Sequence, residues 1–175
     1  EIEYSSGERR PLGVWCHEFG HELGLPDFYD TDYSSEGIGD WGVMASGSWT
    51  DHGETPVNFS GFSKAELEWV EPVLVTGDLL DVRLKPASRG GMIIQLPIPG
   101  NWSGAREYFM LENRQQLDYD TYLPGEGLLI WHVDEDVSNN RDESHKRLDL
   151  EEADGYDDLD NGWNSGDSGD PYSAG

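Results

Sequence analysis

The residues with the clearest capacity for chemistry are two histidines four positions apart, His17 and His21. On a helix, residues i and i+4 share one face, so both imidazoles can reach a single metal ion. Glu18 lies about 100° round the helix from His17, so it flanks such an ion without ligating it. A carboxylate placed there is suited to act as general base for a metal-activated water. The spacing therefore predicts a catalytic zinc site of the HExxH type.

The segment after the helix can supply a third ligand. Gly24 can adopt the left-handed conformation that closes many helices, and Pro26 cannot continue one. The chain is therefore expected to turn back and offer Asp27 as an oxygen ligand. Glu66, on a later predicted helix, is the alternative, because some zinc enzymes take a glutamate as third ligand. We favour Asp27 because the connection is short and a glycine stands where a tight return is needed.

The active-site helix is predicted to run from about residue 10 to residue 25, with Pro11 in its first turn. Apolar residues recur along it at spacings of three and four, which predicts a face packed on the core. They are Leu12, Trp15, Phe19 and Leu23. The two histidines project to nearly the opposite side, so that side is expected to line a cleft. Cys16 points about 100° away from His17 and is predicted to pack rather than to bind metal.

The composition limits the classes of partner. The 175 residues include 36 acidic and 11 basic side chains, giving a net charge of −25, which disfavours nucleic acid and anionic membrane surfaces. No apolar run is long enough to cross a bilayer, so stable membrane insertion is not expected. Seven tryptophans, eight tyrosines and five phenylalanines favour a folded core over disorder. The acidic excess indicates either structural Ca²⁺ sites or a solvated acidic surface.

The chain is predicted to form one α+β domain whose first portion, residues 1–71, holds the zinc-binding helix, a long loop and a second helix. The loop is rich in Gly, Asp and Ser and is predicted to be ordered but irregular. Ca²⁺ could bind its acidic residues, Asp30, Asp32, Glu36 and Asp40. The second helix is predicted to start at Thr55 as N-cap, with Pro56 in first position, and to run to about residue 68.

The second portion, residues 72–153, is predicted to be a mainly antiparallel β region. The predicted strands are residues 73–75, 79–84, 92–96, 108–112 and 128–133. The last portion, residues 154–175, is rich in Asp, Gly, Asn and Ser and cannot be ordered by apolar burial alone. It is predicted to be either a cation-bound loop or a mobile tail. The remaining histidines lack partners at ligand spacing and are predicted to pack or face solvent; they are His52, His132 and His145.

The pattern HExxHxxGxxD, followed by the sequence WGVMASGSW at residues 41–49, resembles the metzincin metallopeptidases. Within them it is most similar to the immune-inhibitor-A-like (M6) family, and residues 108–114, 123–132 and 149–155 resemble that family as well. The resemblance implies a secreted zinc endopeptidase with protein or peptide substrates. It also implies that Met44 is the methionine of the turn beneath the zinc ligands. Tyr33 is a conceivable oxyanion donor, with no motif behind it.

Two other functions remain open from the sequence. One is a catalytically silent, Ca²⁺-dependent binding or structural module that keeps the fold, although such a module would not need Glu18. The other is a zinc hydrolase acting on something other than peptides. The chain begins at Glu1 without a methionine, so a fragment of a longer protein is expected. In metzincins the upstream portion aligns the peptide substrate, so activity is expected to need that portion. The sequence does not indicate an oligomeric state.

Overall fold

The fold comprises two α-helices, several short 3₁₀ segments and a five-stranded sheet within residues 11–98 and 106–173, the part of the chain that the computed structural model describes. Helix α1 spans Leu12–Glu22 and α2 spans Gly61–Glu66. The strands are β1 Val73–Leu74, β2 Ile94–Pro97, β3 Glu107–Arg114, β4 Gly127–Asp134 and β5 Leu148–Leu150. The predicted helix start at residue 10 lies outside the described residues. The architecture is α+β.

The strands lie in the order β1-β2-β3-β4-β5. The β1–β2 pair is parallel, and the three following pairs are antiparallel. Burial alternates strictly along β3, so one face of the sheet packs on the core and the other is half-exposed. Buried side chains of β3 and β4 on the core face are Tyr108, Met110, Leu129, Trp131 and Val133. The prediction of a mainly antiparallel region agrees with this sheet.

The loop between α1 and α2 supplies much of the core. Phe28, Ile38, Trp41 and Met44 are all buried. A short 3₁₀ segment, Gly39–Trp41, lies among them, and 3₁₀ turns interrupted by a kink follow at Ser46–Gly53. The backbone amide of Phe28 donates to the carbonyl of Met44 at 2.8 Å, which closes the loop on itself. Apolar burial thus orders a segment that has little regular secondary structure.

The second helix is shorter than predicted. It starts after Ser60, whose hydroxyl accepts a hydrogen bond from the amide of Ser63 at 3.1 Å. Thr55 does not cap a helix, because its hydroxyl donates to the carboxylate of Asp51 at 2.8 Å. The amide of Val57 donates to the carbonyl of Gly47, which holds the chain before α2 against the preceding loop. The prediction of a helix start at Thr55 was therefore wrong.

Two strand predictions also differ from the structure. Residues 79–84 are not a strand, and Leu79, Leu80 and Val82 are exposed there. Their alternating pattern is real, but no strand pairs with this segment within the described part of the chain, and an unpaired strand has no ladder to hold it. Strand β5 was not predicted, because three residues are too few for a readable alternation.

The prediction of which face of α1 is buried was wrong. The apolar residues that recur along it are between 40% and 60% exposed, namely Leu12, Trp15, Phe19 and Leu23. The helix instead places Gly13 and Gly20 against the core-side loop, where a Cβ at either position would collide with Ser48 or Met44. Periodicity identified the apolar stripe correctly, but it could not reveal that two glycines let the backbone approach the loop more closely.

Candidate metal centre

The end of α1 is closed by a Schellman motif. The amide of Leu25 donates to the carbonyl of Gly20 at 3.0 Å, and the amide of Gly24 donates to that of His21 at 2.9 Å. Gly24 has φ +105°, a conformation that L-residues with a Cβ rarely adopt. Because of this reversal, Asp27 returns toward the face of α1 that carries the histidines.

Three side chains converge on one point beside α1. The Nε2 atoms of His17 and His21 lie 3.1 Å apart. The Oδ1 atom of Asp27 lies 3.0 Å from the first of these nitrogens and 3.1 Å from the second. The structure thus brings together the three residues predicted as metal ligands, and they form one of its potential metal-binding groups.

The hydrogen bonds of the two imidazoles indicate their tautomers. Nδ1 of His17 lies 2.9 Å from the carbonyl of Val43, and Nδ1 of His21 lies 2.8 Å from the carbonyl of Leu25. A carbonyl only accepts, so each Nδ1 carries the proton and donates it. In the neutral imidazole, Nε2 then presents a lone pair.

With both imidazoles neutral, the point of convergence has no proton to share. Two Nε2 lone pairs and one carboxylate oxygen face each other at about hydrogen-bond distance, and Oδ1 of Asp27 is buried without a hydrogen-bond partner in the described part of the chain. Three acceptors at such distances repel one another unless a cation lies between them. Two imidazoles and one carboxylate are a ligand set that suits Zn²⁺, so the residues present fit this metal.

Met44 packs against Gly20 of α1, the residue before His21. It is 1% exposed, and a Cβ built on Gly20 would come within 2.2 Å of its sulfur. Val43, the preceding residue, provides the carbonyl that orients His17. The loop therefore supports the histidines from below through one side chain and one backbone carbonyl.

We expect Gly20→Ala to lower the free energy of unfolding by about 1–3 kcal/mol, because the added methyl overlaps Met44 and overpacks the site. A decrease in stability is informative, because replacing glycine by alanine inside a helix otherwise stabilises it by roughly 1 kcal/mol. Urea denaturation measures the difference. Gly77→Ala is the control, because a Cβ there meets no atom within 4 Å. If Gly20→Ala is as stable as the unsubstituted protein or more stable, the Met44 side chain moves aside without loss of stability.

A cleft of about 310 Å³ opens beside His17. Glu18 is exposed and lines it, so the predicted base borders the space next to the predicted metal. Tyr29, Tyr33 and Trp49 also line the cleft, and Trp49 is 60% exposed. Trp49 therefore lies at the surface of the cleft, whereas Trp41 and Met44 are buried in the core.

Tyr29 was not singled out from the sequence. Its ring stacks on His17 with centroids 6.2 Å apart. Burial, the charge of Asp27 and a hydrogen bond to that carboxylate together raise the pKa of the Tyr29 phenol. Its position two residues after Asp27 was the only available signal. The carbonyls of Leu25 and Val43 were missed as well, because backbone acceptors leave no trace in side-chain patterns.

The other candidates lie elsewhere. Glu66, the alternative third ligand, accepts a hydrogen bond from Arg147 at 3.2 Å and is not part of the histidine group. Cys16 is a free thiol, partly buried against the core, and burial raises its pKa. His132 and His145 lie 3.1 Å and 2.8 Å from carboxylate oxygens of neighbouring side chains.

Comparison with known proteins identifies the family. A profile described as "Immune inhibitor A peptidase M6, catalytic domain" matches residues 4–74, which include the histidines, Asp27 and Met44. Immune inhibitor A of Bacillus thuringiensis subsp. alesti is 31% identical over 147 residues, or 82% of this chain. The chain belongs to the M6 peptidase family. The pre-pro-metalloprotease PrtV of Vibrio cholerae serotype O1 is 47% identical over 60 residues, or 32% of the chain.

The chain matches only a small part of these M6 relatives. The aligned region is 16% of Immune inhibitor A and 6% of PrtV. The family profile is named for a peptidase catalytic domain, and PrtV is named as a metalloprotease. Within residues 11–98 and 106–173, no helix is both long enough and apolar enough to cross a membrane.

Proposed function

We propose that this M6 chain contains the zinc centre of a secreted endopeptidase, with His17, His21 and Asp27 as metal ligands and Glu18 as general base. The convergence of two unprotonated Nε2 atoms and an unpartnered carboxylate oxygen carries this proposal. A zinc ion at that point would supply Lewis acidity to a water molecule and to the scissile carbonyl. Met44 beneath α1 supports the metzincin character of the site.

The chain's own residues have separate tasks in peptide hydrolysis. The carbonyls of Val43 and Leu25 fix the imidazoles in the tautomer that binds metal, which also raises their basicity as ligands. Glu18 accepts the proton of the attacking water at the edge of the cleft and passes it to the leaving amine. Asp27 contributes negative charge to the centre, so the water is expected to be less acidic than beside three histidines.

The cleft supports a polypeptide substrate. It is open to solvent beside Glu18, and exposed Trp49 and Tyr33 give its wall an aromatic surface on which a substrate side chain can pack. The secreted location is inferred from the family resemblance.

Zinc removal tests the proposal. We expect the full-length parent protein to bind one zinc ion at this site, and 1,10-phenanthroline to abolish casein cleavage until zinc is restored. Asp27→Ala is expected to weaken zinc binding by at least about 100-fold, whereas Glu66→Ala, the alternative ligand, leaves it unchanged. Zinc competition assays measure both. Absence of zinc from the parent, or cleavage that resists the chelator, contradicts the enzyme assignment; a zinc-free protein stabilised by calcium would be the binding module.

A further inference from the structure

A second group of potential metal ligands lies at the other end of the chain. Glu152, Asp154 and Asp170 each offer one carboxylate oxygen, and these oxygens lie within 4.8 Å of one another. The amide of Ala153 donates to the carbonyl of Asp170 at 2.9 Å, which fastens the two contributing segments together. None of these residues belongs to the histidine centre.

Asp170 is the most informative member of the group. It is 1% exposed. Its Oδ2 accepts hydrogen bonds from the indole Nε1 of Trp41 at 2.9 Å and from the amide of Asp167 at 3.0 Å. Its Oδ1 is buried and has no hydrogen-bond partner among residues 11–98 and 106–173. A buried carboxylate oxygen without a partner is strongly unfavourable, so this oxygen requires a cation or a comparable donor.

The other two carboxylates are held in place by backbone amides. Glu152 accepts from the amides of Asp158 at 2.7 Å and Leu159 at 3.0 Å. These two hydrogen bonds fix the Glu152 carboxylate in the group that also contains Asp154 and Asp170.

Asp154 reaches the group through a gap that a glycine leaves open. Its Oδ1 accepts from the amide of Tyr156 at 3.1 Å. Its Oδ2 lies 2.2 Å from where a Cβ on Gly169 would be. Any side chain at position 169 would displace this carboxylate from its neighbours. The amino group of Lys146 does not compensate the cluster, because it pairs with Asp149 and Asp160.

We propose that Glu152, Asp154 and Asp170 bind one Ca²⁺ ion. All three ligands are oxygens, which favours a hard cation, and Ca²⁺ takes carboxylates at about 2.3–2.6 Å. Two ligands about 2.4 Å from one ion can be at most about 4.8 Å apart, which the cluster satisfies. Backbone carbonyls and water can complete the flexible coordination of this ion.

The ion also has a structural consequence for the histidine centre. Asp170 holds the indole of Trp41, which is fully buried in the loop that continues to Val43. Val43 in turn orients His17. Binding of Ca²⁺ therefore fixes Asp170, which accepts the hydrogen bond of Trp41 in the loop between α1 and α2. We expect the ion to stabilise the whole domain.

Asp170→Asn is the sharpest test. The amide oxygen can keep the hydrogen bonds from Trp41 and Asp167, while the amide nitrogen replaces the unpartnered oxygen and removes the charge. Asp154→Asn likewise keeps an acceptor for Tyr156. Asp32→Asn is the control, because Asp32 belongs to a separate acidic group with Asp30 and Glu143. There, Asp30 is satisfied by the amides of residues 32, 34 and 35.

The measurement is the melting temperature of the zinc-loaded protein in EGTA and in Ca²⁺, with calorimetric titration of Ca²⁺. At about 100 times Kd, Ca²⁺ is expected to raise Tm by about 5–10 °C in the parent and in Asp32→Asn. Asp170→Asn and Asp154→Asn are expected to lose this rise. In EGTA, Asp170→Asn should melt no lower than the parent, which shows that it folds. An unchanged rise in both variants, or no rise in the parent, overturns the proposal.

Discussion

Glu18→Gln is expected to lower kcat/KM for casein by about 10²–10⁴-fold while the protein keeps its zinc, because glutamine cannot accept the proton of the attacking water. The loss should fall mainly on kcat, since Glu18 is exposed at the edge of the cleft and supports neither a helix nor the core. Steady-state kinetics and zinc analysis on the full-length parent measure the two quantities separately.

Glu22→Gln provides a matched control for this experiment. Glu22 is an exposed glutamate one turn further along α1, and it does not line the cleft. The same loss of one charge from the same helix is expected to leave kcat/KM nearly unchanged. Cleavage that persists in Glu18→Gln with zinc bound rules out Glu18 as the base, even if the metal ligands are correct.

The largest expected effect on stability comes from a buried ionic network beneath the sheet. Arg114 is fully buried and donates to the two carboxylate oxygens of Asp120 at 2.7 Å and 3.1 Å. Its third nitrogen donates to the carbonyl of Trp41 at 3.1 Å and lies 3.6 Å from Oε1 of Glu112. That Oε1 also accepts from Trp131 and from the amide of Gly61. One guanidinium therefore connects β3, α2 and the loop between α1 and α2.

Arg114→Met is expected to lower the free energy of unfolding by about 3–5 kcal/mol, because it leaves the buried Glu112 and Asp120 without their guanidinium partner. Urea denaturation followed by tryptophan fluorescence measures the loss. Arg89→Met removes an exposed ion pair with Asp118, 3.1 Å long, and is expected to cost only about 0–1 kcal/mol. Similar small losses in both variants would show that the buried carboxylates become protonated or hydrated at little cost.

Several parts of the fold followed from local patterns. Gly24 and Pro26 indicated where α1 ends, because the left-handed closure and the proline restriction are local properties of the backbone. The alternating runs near β3 and β4 predicted the central strands, since both are long enough to show a period of two. The predicted metal ligands lie close together because a helical spacing and one short return fix their separation.

Other features could not be read from local patterns. The short helix α2 begins after Ser60, whose hydroxyl accepts the hydrogen bond from Ser63. Thr55 does not cap it, because its hydroxyl donates to Asp51. Local patterns also did not reveal which acidic residues of the loop between α1 and α2 come together. Asp30 and Asp32 lie beside Glu143, more than 100 positions away, rather than forming a site with Glu36 and Asp40. Contacts at such separations depend on how whole segments pack.

The sequence by itself determined the chemistry of the first centre: His17, Glu18 and His21 stand on one short helix, and Asp27 follows within a single turn of chain. The tertiary structure alone decided what holds them, namely the Val43 carbonyl behind His17 and Met44 beneath Gly20. It also decided which carboxylates meet at the second centre, where Asp170 joins Glu152 and Asp154. The physical reason is that helix geometry is a local property, whereas burial and backbone acceptors are set by segments distant in sequence.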